Sequence, residues 1–121
     1  MSHEPSEMSE CLFCKIGRKE IPATLLYEDA EMFVVPDINP QAPLHALIIP
    51  RRHIATLNDL SPEDDALVGG MMRRAAAIAA EQGYAERGFR TVFNVNADGG
   101  QAVFHLHLHL LAGRQLTWPP G

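Results

Sequence analysis

Apolar and polar positions change rhythm several times along this chain, and each change predicts an element. In residues 11–19, Leu12, Phe13 and Ile16 fall at helical spacing before Gly17, which predicts a short helix. Residues 25–28 and 32–35 read as two short strands around a Glu-Asp-Ala turn. The stretch 37–43 holds two prolines, which exclude helix and remove ladder donors, so it reads as an ordered loop. A strand over 45–50 follows, with Leu47 and Ile49 on one face.

Ser61 and Pro62, followed by three acidic residues, give a cap, a first-turn proline and dipole-complementing charge. They predict a helix to about Gly83, with Leu67, Met71, Ala75 and Ile78 on its apolar stripe. Strands over 89–95 and 104–111, with Asp98-Gly99-Gly100 as the turn between them, complete the set. Short adjoining strands with one long and one short helix indicate an α+β domain around a mainly antiparallel sheet.

The chain has 121 residues, the size of one domain, with residues 1–10 expected to be disordered and 11–121 to form the fold. Hydrophobic residues are 46% and charged residues 21%, enough apolar material for a core. The formal charge of −5, without any basic run, disfavours a nucleic-acid polymer as partner. No stretch reaches the roughly 20 apolar residues of a membrane span or resembles a signal peptide, so a cytoplasmic location is expected.

The chemistry concentrates in Phe104-His105-Leu106-His107-Leu108-His109-Leu110-Leu111. Histidine at every second position of an extended segment puts three imidazoles on one face and the leucines on the other. Ordinary imidazoles titrate near pH 6.5, which suits them to proton transfer, nucleophilic attack or metal binding. All three on one metal ion is geometrically awkward, because alternate residues lie roughly 6–7 Å apart while metal bonds are about 2 Å. The glycines at 99 and 100 would let backbone N–H groups approach an anion, and Asn94 could face the same space.

These residues match the His-φ-His-φ-His-φ-φ signature of the histidine-triad superfamily. Lys19-Glu-Ile-Pro-Ala, Asp37-Ile-Asn-Pro-Gln-Ala-Pro, His45-Ala-Leu-Ile-Ile-Pro, Asp98-Gly-Gly-Gln and Gly113-Arg-Gln-Leu-Thr-Trp-Pro-Pro-Gly further resemble its Hint branch of purine nucleoside phosphoramidases. The resemblance implies a five-stranded antiparallel sheet continued across a homodimer. It also implies cleavage of the P–N bond of adenosine or guanosine 5′-phosphoramidates, aminoacyl conjugates included, through a nucleotidyl-histidine.

In that reading His107 is the nucleophile, its second ring nitrogen held by a backbone carbonyl. His109 donates to the phosphoryl group, and His105 with His45 supports the proton network. Asp37 takes the ribose hydroxyls, Leu12, Phe13, Ile16 and Ile38 form an apolar base slot, and Asn94, Gly100, Gln101, Ala102 and Val103 surround the phosphate. Trp118 resembles a residue that reaches the partner subunit's site. Two departures stand out: Ala102 replaces a serine common in Hint proteins, and Val35-Pro36 replaces a Phe-His pair common in animal members.

Catalysis of this kind requires no cofactor. The Cys11-x-x-Cys14 pair has zinc-ligand spacing, and by resemblance to some bacterial relatives His53 and His105 complete a structural zinc site. Two reduced thiols without metal remain the alternative. Two other functions stay open: a nucleotide-binding interaction protein with incidental hydrolysis, and a diadenosine polyphosphate hydrolase of the same superfamily.

Overall fold

The computed structural model describes residues 10–121, so the segment expected to be disordered lies, apart from Glu10, outside the described residues. Helix α1 (Leu12–Gly17) precedes the strands β1 (Tyr27–Glu28), β2 (Met32–Pro36) and β3 (Leu44–Pro50). The long helix α2 (Asp65–Glu81), strand β4 (Phe89–Val92), a single helical turn α3 (Asn96–Gly99) and strand β5 (Leu108–Ala112) follow. The sheet order is β1-β2-β3-β5-β4, and every neighbouring pair is antiparallel.

The turn between β1 and β2 closes because the Asp29 carboxylate accepts the N–H groups of Glu31 and Met32 at 2.8 and 2.9 Å. Both faces of β2 and β3 are covered, which explains their nearly continuous apolar runs. On one face Met32, Val34, Ala46 and Ile48 pack with Met71, Ala75 and Ile78 of α2 and with Leu106, Leu108 and Leu110. On the other, Phe33, Val35, Leu47 and Ile49 pack with Phe13 of α1. The register pairs Leu47 with His109, so the histidines rise on the face that α1 covers.

Several expected boundaries move. The predicted strand over 104–111 begins only at Leu108. Pro50, which would continue the pairing, has no N–H, and the Leu106 N–H donates instead to the Ile54 carbonyl at 2.6 Å, drawing 104–107 away from β3. The strand expected over 89–95 stops at Val92, and the expected Asp98-Gly99-Gly100 hairpin turn is the α3 turn, capped by Gly100 at φ 79°. Asn96 enters that turn at φ 56°, a left-handed conformation asparagine tolerates.

At the long helix, Ser61 begins a 3-10 turn (Pro62–Asp64) whose Asp64 carboxylate accepts the Ser61 N–H at 2.9 Å, and α-helix proper begins at Asp65. β1 is likewise confined to Tyr27–Glu28, short of the expected 25–28.

Met71 is fully buried between α2 and the sheet, so Met71→Ala should cost about 2–5 kcal/mol through the cavity it leaves. Urea denaturation should show this as a lower midpoint with an unchanged slope.

Candidate active site and metal centre

His107 and His109 lie with ring centroids 5.0 Å apart, and Phe13 from α1 meets His107 edge to face at 5.2 Å. The His107 Nδ1–H donates to the carbonyl of His105 at 2.7 Å. A carbonyl can only accept, so the proton of this neutral imidazole sits on Nδ1 and Nε2 presents its lone pair. Burial lowers the pKa of His107 below the ordinary imidazole value, against the opposing pull of that carbonyl and of Asp37.

His109 has the opposite tautomer. The backbone N–H of Gln41 donates to His45 Nδ1 at 3.0 Å, which forces the His45 proton onto Nε2. His45 Nε2 lies 3.0 Å from His109 Nδ1 and 3.4 Å from an Asp37 carboxylate oxygen. The His45 Nε2–H therefore donates to His109 Nδ1, and the His109 proton is left on Nε2. A lone pair on His107 thus stands beside an N–H on His109, a nucleophile next to a donor.

His105 faces elsewhere. It is fully buried, donates from Nε2 to the Pro50 carbonyl at 2.7 Å, and turns Nδ1 toward Cys11 Sγ at 3.3 Å and Cys14 Sγ at 3.5 Å. Cys14 Sγ is also 3.3 Å from His53 Nδ1. The ligand atoms of Cys11, Cys14, His53 and His105 all lie within 4.8 Å of one another, a group able to hold a metal ion. Two sulfurs and two imidazole nitrogens match the tetrahedral donor set of zinc, and the Pro50 carbonyl supplies the outer hydrogen bond that metal-bound histidines use. Burial and the neighbouring Cys11 push the Cys14 thiol up to about 11, so Cys14 without metal is a thiol and metal binding would release its proton.

Asp37, His45 and His109 also cluster within 4.8 Å. This trio suits a proton rather than a metal ion. A metal on His45 Nε2 would require the proton on Nδ1, where it would meet the Gln41 N–H head-on.

Several residues sit differently from what the sequence suggests. The amides of Gly100 and Gln101 donate to the carbonyls of Ala97 and Asn96, both at 3.0 Å, so they close the α3 turn instead of forming an open anion nest. The Gln101 side chain is buried and bonds the backbone of Asn96, Ala55 and Val103, making it a brace for the loop before the triad. Leu12, Phe13, Ile16 and Ile38 differ in exposure: Phe13 and Ile16 of α1 pack on the core layer with Phe33, Val35, Leu47 and Ile49, Leu12 is exposed, and Ile38 is 100% exposed beside Asp37.

Asn94 is half-buried against Gly99, Ala102 is exposed, Val103 packs on the Phe13 layer, and Trp118 is 82% exposed. His105 reaches His107 through its backbone carbonyl and not through its ring. The backbone carbonyl expected to hold His107 is that of His105; sequence reasoning missed Gln41 and Pro50, because backbone groups carry no residue signature.

The family model described as scavenger mRNA decapping enzyme C-term binding matches residues 10–117. A purine nucleoside phosphoramidase of Escherichia coli is 49% identical over 88% of this chain and 90% of its own. The chain belongs to the histidine-triad family. A crystal structure of a HIT family hydrolase from Legionella pneumophila is 56% identical with a TM-score of 0.90, covering 92% of this chain and 99% of that one. A zinc-bound histidine-triad protein from Mycobacterium smegmatis is 32% identical with a TM-score of 0.76, covering 94% of this chain and 81% of that one. The protein is accordingly a histidine-triad hydrolase, and among its described residues no helix is long and apolar enough to cross a membrane.

Burial, with repulsion from His107 and His45, lowers the His109 pKa from 6.5 to about 4. Between those values the unfolded chain takes up a proton that the folded histidine-triad domain refuses, so stability is full above about pH 6.5 and falls as pH drops toward 4. Urea midpoints should decline over that window, and the decline should be shallower in His109→Asn.

Proposed function

We propose that the protein hydrolyses the P–N bond of purine nucleoside 5′-phosphoramidates, releasing the nucleoside monophosphate and an amine. The observation that carries this reading is the 2.7 Å bond from His107 Nδ1 to the His105 carbonyl, which leaves Nε2 free to attack phosphorus. The 49% identity to the E. coli phosphoramidase supports the substrate class.

His107 Nε2 bonds to the α-phosphorus while the His109 Nε2–H donates a hydrogen bond to the phosphoryl group, the P–N bond breaks, and the amine leaves with a proton taken from solvent. Water then bonds to phosphorus, the Nε2–P bond breaks, the water's proton returns to solvent, and His107 is again neutral. The His109 N–H, beside the phosphoryl oxygens, also stabilises their developing charge. Asp37 accepts the ribose hydroxyls, and the fully exposed Ile38 supports the purine face. Asn94, Ala102 and Val103 border the phosphate and leaving group.

We also place a zinc ion on Cys11, Cys14, His53 and His105, in a structural role. It would tie α1 to the segment carrying the triad and fix the residue whose carbonyl orients His107. A cavity of about 320 Å³ lined by Cys11, His53, Ala102 and Val103, among others, gives metal a route in. The working unit is proposed as a homodimer, supported by the edge position of β4 and the exposed Trp118.

With adenosine 5′-phosphoramidate, His107→Ala should reduce monophosphate release by at least about three orders of magnitude. Acid-quenched wild type should carry a nucleotidyl adduct on His107 by mass spectrometry. Activity surviving the substitution would overturn the mechanism. Elemental analysis of protein purified without chelator should find one zinc per chain, absent in Cys11→Ser and accompanied by a lower Tm. A metal-free wild type of unchanged Tm would remove the zinc assignment.

A further inference from the structure

The His109 donor depends on a relay that begins outside the triad, at a backbone amide in the loop between β2 and β3. Only while the Gln41 N–H points at His45 Nδ1, 3.0 Å away, is the His45 proton confined to Nε2 and the His109 proton to its own Nε2. If the Gln41 amide turns away, His45 can carry its proton on Nδ1. Its Nε2 then accepts from His109 Nδ1–H, and the donor is withdrawn from the site.

Two contacts from the chain after β5 hold this loop. The Arg114 Nε–H donates to the Gln41 carbonyl at 2.8 Å, while one of its terminal nitrogens donates to the Gln115 carbonyl at 3.1 Å. The first bond spans 73 residues and fixes the residue whose N–H starts the relay. Just before it, Gly113 turns at φ 101°, and a Cβ placed there would lie 2.8 Å from Cβ of Pro43 and 3.0 Å from the Tyr84 hydroxyl. Glycine thus lets the C-terminal segment press on the loop at Pro43 while the guanidinium grips it two residues earlier, at Gln41. Gln41 and Arg114 are both exposed, so their bond contributes little to global stability, and orientation is its main effect.

We infer that Arg114 is a positioning residue: by gripping the Gln41 carbonyl it keeps the Gln41 amide on His45 and so keeps the His109 proton on the nitrogen facing the nucleophile. The inference deepens the hydrolase reading and rests on it only for its kinetic arm.

The test is the tautomeric state of His45 and His109, read from imidazole 15N shifts at neutral pH without substrate. Wild type should show both rings protonated at Nε2. Arg114→Ala and Arg114→Met should shift both toward Nδ1-protonated mixtures while backbone amide spectra retain the native fold. With adenosine 5′-phosphoramidate, kcat should fall about 3- to 10-fold with little change in KM, the loss expected from one hydrogen bond. Arg90→Ala provides the comparison, because it removes a different contact to the C-terminal segment, the 3.0 Å bond to the Thr117 carbonyl. It should leave both tautomers as in wild type. Wild-type tautomers in both Arg114 variants, or an equal shift in Arg90→Ala, would overturn the inference. The expected tautomer shift in a protein that cleaves no phosphoramidate would uphold the positioning role and refute the substrate reading.

Discussion

The chemistry of this site depends on backbone groups claiming one nitrogen each of His45, His105 and His107. A neutral histidine has one N–H and one lone pair, and which nitrogen carries which is decided by what the other one touches. The His105 carbonyl takes the Nδ1 proton of His107, the Pro50 carbonyl takes the Nε2 proton of His105, and the Gln41 amide occupies Nδ1 of His45. Three side chains of one residue type therefore present a free lone pair on His107, a lone pair aimed at the cysteines on His105 and, through His45, a donor on His109.

That division also separates two clusters that look alike by composition. Cys11, Cys14, His53 and His105 offer sulfur and nitrogen lone pairs converging within 4.8 Å, as do Asp37, His45 and His109 with oxygen and nitrogen. The difference lies in the groups behind the ligands. A carbonyl behind His105 leaves its inner nitrogen ready for a metal ion, whereas an amide behind His45 places a proton where a metal would have to bind. Residue 105 belongs to both neighbourhoods, its ring facing the cysteines and its carbonyl accepting from His107 Nδ1.

The sheet delivers these groups because β2 and β3 are buried on both faces, while on β5 a histidine stands opposite Leu47. Departure of the chain from the ladder before Leu108 is what separates the roles of the three histidines. Were the strand continuous, as alternation alone suggests, His107 would stand opposite Ile49 and His105 would lie just past the end of β3. The Pro50 carbonyl and the Leu106 bond to Ile54 instead draw His105 into the cysteine cluster. Burial, with His107 and His45 alongside, holds His109 neutral to about pH 4.

Sequence alone determined the parts that depend on local pattern. The 3.6 period of Met71, Ala75 and Ile78, the proline-bearing loop after β2, the alternation of histidine with leucine and the Cys-x-x-Cys spacing are each read from neighbours in the chain, and together they expose the fold class and the triad. The hairpin expected at Asp98-Gly99-Gly100 was misread, because glycine pairs mark a helical C-cap and a tight turn equally well. Within the residues expected to form the base slot, apolar spacing does not distinguish Phe13, packed in the core, from Ile38, standing in solvent. Only the tertiary structure decided which nitrogen of each histidine acts, since that depends on carbonyls and amides brought up from residues 41, 50 and 105, and every residue type but proline supplies the same two backbone groups.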